Sequence, residues 1–558
     1  MDWAKLRAEA GRFGVKRFRP GQREILEAVL AGKDVLGVMP TGSGKSLTFQ
    51  LPALMLPKAA VVVSPLIALM QDQAEKAEEA EINAAKLNST LTSTEEREAR
   101  EAIAEGEHPL IYVTPERLEN AEYRKILSRS GVSLFVVDEA HCISQWGHDF
   151  RPAYLTLRDG VRDLGRPPIL ALTATATPEI QQDIVKQLGM KEPVVVDTGI
   201  DRPNLLLEVF RTVNREAKRQ RILQIVNETE GTGIVYVATV RGANELYEWL
   251  CDSGINAGRY HGKLKVRERE SIQRQFMDGG FKVIVATKAF GLGIDKLDIR
   301  LIIHFNFPDS LESYYQEIGR AGRDGKNARC PLLYRLEDRR IQGYFLGGKY
   351  PRREHSEKVY ELVAGTAEEK WMSTAELVNA AGLPRRKTQV VISQLESAGI
   401  VERRSGKIRL LRRFEKPEEV SAFLSEYEKR HMDDRERIQM MMRYAETADC
   451  RTQFLREYFA EERGEVCGRC DNCRAKAEAR LPAKPAPVMR KRSQPVAPAS
   501  TIGESLPTRP QMFQVGDSVK HRRFGPGKVV EISGENLTVQ FEKSGQKRIR
   551  ENYLRKAS

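Results

Sequence analysis

The chain has 558 residues, enough for three to five domains at roughly 100 to 200 residues each. Its 90 Lys and Arg residues exceed its 77 Asp and Glu residues by 13, which favours a polyanionic partner such as nucleic acid. No stretch approaches the roughly 18 consecutive apolar residues of a membrane helix, and the first residues lack the apolar core of a signal peptide. We therefore expect neither a membrane protein nor a secreted one.

Short apolar runs alternate with longer mixed stretches from residue 33 to about residue 305, for example DVLGVMP, AAVVVSP, LFVVDEA and GIVYVAT. Such runs are typical of buried parallel strands, and their alternation with helices predicts an α/β fold. Because the span is too long for one sheet, we place a boundary near Asp201-Arg202-Pro203-Asn204. The sequence therefore predicts two α/β domains with parallel sheets, residues 1–200 and 201–345, with a cleft between them.

The next part of the chain predicts a winged helix over residues 346–415. Two helical segments are joined by a turn at Gly382-Leu383-Pro384 and are followed by a hairpin through Ser405-Gly406. From Pro384 through Arg413 the chain carries nine basic residues and two acids, which favours a surface that binds phosphates. A wing with a purely structural role is the alternative.

A zinc-binding subdomain is predicted over residues 416–475. Four of the seven cysteines lie in one window with the spacing C-x16-C-x2-C-x2-C, and these are Cys450, Cys467, Cys470 and Cys473. Four thiolates in a tetrahedral arrangement select Zn²⁺, and a site without an open coordination position is structural. A redox C-x-x-C pair is the alternative, and it would leave two of the four cysteines unexplained.

The end of the chain predicts a linker and a small β domain. Residues 481–510 carry seven of the 26 prolines among Ala, Ser and basic residues, so we expect an extended linker over residues 476–511. Residues 512–558 alternate short β-prone runs with Gly-containing turns, which predicts a small β-barrel. The final 46 residues contain ten Lys and Arg against five acids, a balance suited to nonspecific DNA tethering.

The segment VLGVMPTGSGKSLTFQLPAL places a Gly-rich turn between an apolar run and a helical one, as in a phosphate-binding loop. Backbone N–H groups of such a loop face phosphate oxygens, Lys45 adds a cation at the β and γ phosphates, and Ser46 can ligate Mg²⁺. The strict pattern has Gly where this chain has Met39, and a Gly-rich turn without nucleotide is the alternative. The predicted nucleotide-binding residues of the loop are Thr41, Gly42, Ser43, Gly44, Lys45 and Ser46.

Two acids and two arginines predict ATP hydrolysis. The run LFVVDEAH ends a strand on Asp138, which can hold hydrated Mg²⁺, and Glu139, which can orient and deprotonate the attacking water. In SYYQEIGRAGRDG, Arg320 and Arg323 lie three residues apart, so one helical turn would point both across the cleft. We expect Arg323 to meet the γ-phosphate, with Arg320 in support. A solvated acidic loop and two surface arginines are the alternatives.

Seven motifs stand in the order found in superfamily 2 helicases, and they resemble most closely the RecQ family of DNA helicases. They are MPTGSGKS, SPLIALMQDQ, VTPERL, DEAHCISQWGHDFRPAY, LTATATP, VATKAFGLGID and QEIGRAGRDG. The resemblance covers about residues 10–335 and the cysteine window. It implies tandem RecA-like domains, the cofactors ATP, Mg²⁺ and Zn²⁺, and 3′ to 5′ unwinding of DNA in recombination or repair. It also implies a cytoplasmic, nucleoid-associated bacterial protein.

The resemblance implies further roles for single residues. FRPGQ resembles the family's adenine-recognition motif, which implies that Arg19 and Gln22 bind the base, and Val15 stands where many members carry an aromatic residue. CISQWGHDFRPAY resembles the aromatic-rich loop with which the family senses single-stranded DNA. In that loop Trp146 and Phe150 offer faces for base stacking, and His148 and Arg151 offer polar and phosphate contacts.

The alternative for that loop is that Trp146 and Phe150 are aromatic residues of a buried core and do not contact DNA. Three weaker assignments also rest on the resemblance: Ser64 and Pro65 open a DNA-backbone motif, Thr173 and Thr175 couple the ATP and DNA sites, and Asp295 lies near the nucleotide.

The chain departs from the family's pattern at its C-terminal side. The family usually has its winged helix after the zinc site, whereas here the helix comes first. The last 46 residues resemble the Tudor-like barrel of bacterial UvrD and PcrA helicases, which implies contact with RNA polymerase. Two other functions stay open: an RNA helicase on the same motor, and a recruitment protein whose basic modules bind nucleic acid and a partner.

Overall fold

A computed structural model describes residues 3–65, 67–88, 91–144, 151–291, 294, 296–349, 353–366, 370–404, 407–480, 513–521, 524–533, 536–542, 545–550 and 554–556. The chain divides into two compact units, Met1–Pro482 and Ala483–Ser558. Most of the predicted linker lies outside the described residues. Within the described ranges, no helix is long and apolar enough to cross a bilayer.

The first α/β domain, here called the first lobe, is built on a parallel sheet in the order β3-β4-β2-β5-β6-β1-β7. Alternate strand residues supply two apolar cores, one on each face: Leu36 belongs to one core and Val35 to the other. A parallel sheet covered on both faces explains why the strand sequences are almost uniformly apolar. The strands are β1 Val35–Val38, β2 Ala59–Val63, β3 Ala84–Leu87, β4 Leu110–Val113, β5 Val132–Val137, β6 Ile169–Thr173 and β7 Val194–Asp197.

Helices separate these strands. A capping box between Thr92 and Glu95 starts α5, and Gly189 in the left-handed conformation ends α9. The helices are α1 Trp3–Arg12, α2 Gln22–Leu30, α3 Leu47–Met55, α4 Ile67–Glu79, α5 Ser93–Glu105, α6 Pro115–Leu118, α7 Ala121–Ser130, α8 Leu157–Asp163 and α9 Pro178–Leu188. Two short 3-10 helices, Ala140–Ile143 and Pro152–Thr156, flank the segment that follows β5.

The second α/β domain, here called the second lobe, has a parallel sheet in the order β10-β11-β9-β12-β13-β8. Its strands are β8 Leu205–Arg211, β9 Thr232–Tyr236, β10 Ala257–Tyr260, β11 Val283–Ala286, β12 Ile299–His304 and β13 Ala328–Tyr334. Its helices are α10 Arg215–Glu228, α11 Val240–Asp252, α12 Val266–Met277 and α13 Leu311–Ile318. The Ser310 hydroxyl caps α13 by accepting a hydrogen bond from the Ser313 N–H.

A winged helix and a helical segment complete the first unit. After a 3-10 turn at Leu336–Asp338 come α14 Arg339–Lys349, α15 Arg353–Ala364, β14 Met372–Ser373, α16 Thr374–Ala381, α17 Arg385–Ser397, β15 Val401–Arg404 and β16 Lys407–Leu410. The three strands form an antiparallel sheet in the order β14-β16-β15, packed on the buried faces of α15, α16 and α17. The helices of the cysteine-bearing subdomain follow as α18 Pro417–Glu446, α19 Arg451–Tyr458 and α20 Asp471–Arg480.

The second unit is a small antiparallel sheet in the order β20-β19-β18-β17-β21. Its strands are β17 Ser518–His521, β18 Gly525–Ser533, β19 Asn536–Phe541, β20 Gly545–Arg550 and β21 Leu554–Lys556. Alternate residues such as Val519, Val539 and Phe541 bury one face of the sheet. The predicted fold class, with two parallel-sheet domains, a helical cysteine-bearing subdomain and a small C-terminal β domain, is confirmed.

Candidate functional site

The phosphate-binding loop connects β1 to α3. Gly42 and Gly44 have φ values of 83° and 84°, in the left-handed region that favours glycine, and the helix begins directly after Ser46. The Lys45 ammonium donates to the Met39 carbonyl at 3.1 Å, so it lies back across the loop. Burial lowers the pKa of Lys45, whereas the charges of Glu139 and Asp138 raise it. Met39, where the strict pattern has Gly, is wholly buried in the core of the sheet.

The two predicted acids lie at the end of β5, facing the loop. Asp138 is 5% exposed and accepts a hydrogen bond from the Glu139 N–H at 3.0 Å. Burial and the adjacent Glu139 charge raise the pKa of Asp138 to about 7, and Lys45 lowers it. Glu139 adopts φ 48° and ψ 47°, a conformation that non-glycine residues hold only where their surroundings enforce it. This buried negative charge opposite Lys45 suits a divalent cation better than it suits an empty cavity.

A chain of polar contacts runs from Glu139 into the neighbouring strand. The His141 Nδ1 atom lies 3.4 Å from Glu139 Oε2 and 3.0 Å from the Thr173 hydroxyl. That hydroxyl in turn donates to the Thr175 carbonyl at 3.1 Å. The structure thus connects Glu139, which is expected to orient the water, to the two threonines that the resemblance assigns to coupling between the sites.

The two predicted arginines come from the second lobe. The helix α13 ends at Ile318, so Arg320 and Arg323 lie in the turns that follow it and are not on a continuous helical face. Gly322 takes φ 55° within these turns, directly before Arg323. A Cβ atom added to Gly42 of the phosphate loop would lie 2.9 Å from Arg323 Cγ. The Arg323 stem therefore already contacts the loop of the first lobe.

Five of these residues line one cavity of about 600 Å³ between the lobes: Lys45, Asp138, Glu139, Arg320 and Arg323. The fit of a nucleoside triphosphate with Mg²⁺ is supported by the cations on both walls, Lys45 from the first lobe and Arg320 and Arg323 from the second. Ser43 Oγ, in the phosphate-binding loop, is buried and has no hydrogen-bond partner among the described residues. Buried polar atoms without partners are uncommon, and a phosphate oxygen bound by the loop would satisfy it. Ser46 and Asp138 also line the cavity and are the residues that would hold Mg²⁺.

Arg19 and Gln22, expected at the adenine, contact the backbone of the phosphate loop. The Arg19 guanidinium donates to the Gly42 carbonyl, and the Gln22 amide donates to the Gly44 carbonyl at 2.8 Å. Both side chains also line the cavity, together with Val15. The pair therefore holds the backbone of the phosphate-binding loop.

The structure brings together two of the residues expected at DNA. The Arg151 guanidinium donates to the Pro65 carbonyl at 2.7 Å, and Pro65 and its neighbour Ser64 are buried. Trp146, His148, Phe150 and Asp295 lie outside the described residues.

The four cysteines of the predicted zinc site converge. Their sulfur atoms lie within 4.8 Å of one another, although Cys450 precedes the others by a whole helix. A hydrogen bond from the Cys470 thiol, supported by backbone N–H groups, holds the pKa of Cys467 below its ordinary value, which favours a thiolate. Four convergent sulfur atoms fit a closed tetrahedral Zn²⁺ site.

Three residues of the site escaped the sequence analysis. Gln73, in the QDQ part of a quoted motif, donates to the Ser46 hydroxyl at 3.3 Å. His141 lies in the DEAH run, but its partner Thr173 is 32 residues away. Arg202 was noted only as part of a domain boundary, and it donates to the Thr41 carbonyl of the phosphate loop at 2.7 Å. Motif membership could have drawn attention to the first two.

Family models match four stretches of the chain. They are the DEAD/DEAH box helicase over residues 19–184, the helicase conserved C-terminal domain over 217–325, the RecQ zinc-binding region over 408–474 and the PcrA/UvrD tudor domain over 515–552. The probable ATP-dependent DNA helicase RecS of Bacillus subtilis is 43% identical over 339 residues, which are 59% of this chain and 68% of that relative. The chain belongs to the RecQ family. The predicted family and the predicted zinc-binding subdomain are thereby confirmed.

Other RecQ relatives are longer than the region they share with this chain. The ATP-dependent DNA helicase RecQ of Bacillus subtilis is 37% identical over 463 residues, 83% of this chain and 65% of that relative. The chain covers only 51% of the RecQ helicase of Pasteurella multocida. Among solved structures, Mycobacterium smegmatis helicase Lhr bound to ssDNA and AMP-PNP shares the fold, with a TM-score of 0.51, 20% identity and coverage of 75% of this chain and 61% of that one.

Proposed function

We propose that this protein is an ATP-dependent DNA helicase that translocates 3′ to 5′ on single-stranded DNA and unwinds duplexes in recombination or repair. One observation carries the proposal: Lys45, Asp138 and Glu139 of the first lobe face Arg320 and Arg323 of the second lobe across one cavity. A site built from two lobes is complete only when they lie together, so hydrolysis can be coupled to their opening and closing.

In the proposed reaction, water attacks the γ-phosphorus of ATP and ADP leaves. The loop N–H groups and Lys45 bind the β and γ phosphates, and Glu139 orients the water and accepts its proton. Arg323 faces the charge that develops on the γ-phosphate, and Arg320 supports it. Ser46 and Asp138 would hold Mg²⁺, which would neutralise part of the phosphate charge.

The same proposal assigns DNA sensing to the segment after the DEAH run, through Trp146, His148, Phe150 and Arg151, with Ser64 and Pro65 beside it. Support comes from the hydrogen bond between Arg151 and the Pro65 carbonyl, and from the Glu139–His141–Thr173 contacts that begin close to this segment. Asp295 is proposed to lie near the nucleotide on the strength of the resemblance.

Replacement of Lys45 tests the ATPase part of the proposal. We expect the wild type to hydrolyse ATP when single-stranded DNA is added and to unwind a duplex with a 3′ overhang. Lys45→Ala should lose both activities and keep its DNA affinity, because the cation at the phosphates is lost while the DNA surface is not. Lys33→Ala, an exposed lysine of the same lobe, is the control and should behave as the wild type.

Two results would contradict the proposal that this protein hydrolyses ATP in response to DNA. Equal stimulation by RNA and DNA would favour an RNA helicase on the same motor. Absence of hydrolysis with any strand would favour a recruitment protein that does not use ATP.

Replacement of Trp146 tests the sensing loop. Trp146→Ala should leave basal ATP hydrolysis intact and weaken its stimulation by single-stranded DNA, because one base-stacking face, worth about 1 to 3 kcal/mol, is removed. Titration of hydrolysis rate against DNA concentration measures the effect. Identical stimulation curves for the variant and the wild type would refute the sensor role.

The C-terminal sheet carries a separate proposal. Its match to the PcrA/UvrD tudor domain supports a protein contact through residues 512–558, with RNA polymerase as the partner that the resemblance names. Its basic excess equally supports tethering to DNA. We place the protein at the bacterial nucleoid as part of the same proposal, because its substrate is DNA.

A further inference from the structure

Arg202 lies in the segment that connects β7 of the first lobe to β8 of the second lobe. Its Nε atom donates a hydrogen bond to the Asn204 side-chain oxygen at 3.4 Å, and its two terminal nitrogens donate four more, all to backbone carbonyls. They are Thr41 O at 2.7 Å and Gly319 O at 3.2 Å from Nη1, and Ala321 O at 2.9 Å and Gly322 O at 3.1 Å from Nη2.

These carbonyls belong to opposite walls of the nucleotide cavity. Thr41 is part of the phosphate-binding loop, whereas Gly319, Ala321 and Gly322 surround the two cavity arginines in the chain. A guanidinium is planar and its donors have a fixed geometry, so the carbonyls that it binds are held at fixed distances from one another. Arg202 thus fixes the spacing between the loop and the arginine-bearing turns.

The approach of the two walls at this point is close. A Cβ atom added to Gly319 would lie 3.0 Å from the Thr41 Cβ atom, so the turn directly abuts the loop. The neighbouring Asn204 donates only within the second lobe, to Gly322 O at 2.7 Å and Lys326 O at 2.9 Å. Of these two side chains of the connecting segment, Arg202 is the one that reaches both lobes.

Side chains of the cysteine-bearing subdomain bind the residues that precede Arg202. Asp201 accepts from Arg469 at 2.6 Å and from Arg456 at 3.1 Å, and the Ile200 N–H donates to Glu461 at 2.6 Å. The backbone that carries Arg202 is therefore anchored, so its guanidinium is presented to the carbonyls in one position.

We propose that Arg202 is a positioning residue for ATP hydrolysis, which holds the arginine-bearing turns of the second lobe in register with the phosphate-binding loop. The inference rests on the proposed function. Its guanidinium acts through Arg320 and Arg323, whose distance from the phosphates it sets. Since stabilisation of a transition state depends on placement to within about 1 Å, loss of this register should slow the chemical step more than it weakens nucleotide binding.

The test compares Arg202→Ala and Arg202→Lys with the same substitutions of Arg166. Arg166 is a matched control because it also donates four hydrogen bonds, to Asp34 and to the carbonyls of Pro167 and Gly189, but within the first lobe alone. All variants are assayed as full chains below their melting temperatures. The measurements are kcat for DNA-stimulated ATP hydrolysis and Kd for a non-hydrolysable ATP analogue.

We expect Arg202→Ala to lower kcat by roughly ten- to a hundredfold while Kd for the analogue changes by less than about threefold. Arg202→Lys keeps the charge but not the planar array of donors, so its kcat should lie between those of the wild type and Arg202→Ala. It replaces the alanine variant in the test if that variant does not fold. The Arg166 variants should lower the melting temperature and keep kcat.

A wild-type kcat in both Arg202 variants would overturn the inference. Equal losses of kcat in the Arg202 and Arg166 variants would also overturn it. So would an Arg202 variant whose affinity for the analogue falls as much as its kcat. Failure of the proposed function is distinguishable, because in that case the wild type itself would not hydrolyse ATP with DNA.

Discussion

Single buried charges in the first lobe are stabilised by several hydrogen bonds each, and Asp34 at the start of β1 illustrates this. Its carboxylate accepts from the Arg166 guanidinium at 2.6 and 3.1 Å and from the N–H groups of Lys191 at 2.6 Å and Ile169 at 2.9 Å. Burial alone would raise the pKa of Asp34, but these hydrogen bonds outweigh it and hold the pKa below its ordinary value. The side chain thereby ties the ends of β6 and α9 to β1.

The lowered pKa of Asp34 predicts a pH dependence of stability. A carboxyl group whose pKa falls on folding contributes stability above its unfolded pKa of about 3.9, and this contribution is lost as the pH falls toward the folded pKa. Asp34→Asn should therefore reduce the free energy of unfolding by about 1 to 3 kcal/mol at pH 7 and should flatten its decline below pH 4. Urea unfolding at several pH values measures both effects.

Asp159→Asn, at an exposed ion pair with Arg162, is the control for Asp34→Asn and should change little. If the two variants lost stability equally at pH 7, or if Asp34→Asn kept the acid slope of the wild type, the account of Asp34 would be wrong.

Local sequence predicted the identities of the site residues but not all of their contacts. Glycine spacing and the adjacent lysine indicated the phosphate loop, because those features are chemical requirements of the loop itself. The contact of Arg19 with the loop carbonyl of Gly42, and that of Arg202 with Thr41, span 23 and 161 residues. Such contacts depend on tertiary packing, and no local pattern encodes them.

At the scale of elements, the cysteine-bearing subdomain is attached to an edge strand of the second lobe. The Asp471 carboxylate, which lies between Cys470 and Cys473, accepts from the Val209 N–H of β8 at 2.9 Å and from Arg451. Arg474 donates to Glu208 of the same strand at 2.7 Å. An ion held by the cysteines would therefore also keep α19 and α20 against β8.

Zinc content tests this arrangement. The wild type should contain about one Zn²⁺ per chain, since four thiolates fill one tetrahedral site. Cys470→Ser should lose most of the metal and lower the melting temperature, because the attachment to β8 loosens without the ion. Cys251→Ser, at an exposed cysteine of the second lobe, should keep both values. Metal analysis and thermal unfolding measure these effects, and a folded wild type without zinc would contradict the assignment.

Elements were predicted best where short-range signals mark their ends. The helix α16 begins at Thr374 after a capping box between Ser373 and Glu376, and it ends before a left-handed Gly382. By contrast, α13 stops at Ile318, so the expected helical spacing of the two arginines does not hold. The carbonyls of the turns after α13 bind the side chains of Arg202 and Asn204, and these tertiary bonds compete with continuation of the helix.

At the scale of the whole first unit, residues of both lobes line one cavity. The order of the motifs along the chain and the recurring apolar runs were enough to predict two parallel sheets with a cleft between them. The closeness of the walls was not predictable, because it arises from contacts such as that between Arg323 and Gly42, which are 281 positions apart in the chain. Under the proposed function, ATP hydrolysis needs groups from both walls of this cavity.

The rate of DNA-stimulated ATP hydrolysis by Arg323→Ala tests that claim most directly. Arg329→Ala is the control, because this arginine of the second lobe pairs with Glu208 and Glu228 and does not line the cavity. We expect Arg323→Ala to lower kcat at least about a hundredfold and to keep ATP binding, whereas Arg329→Ala should hydrolyse ATP as the wild type does. A wild-type kcat in folded Arg323→Ala would contradict that claim.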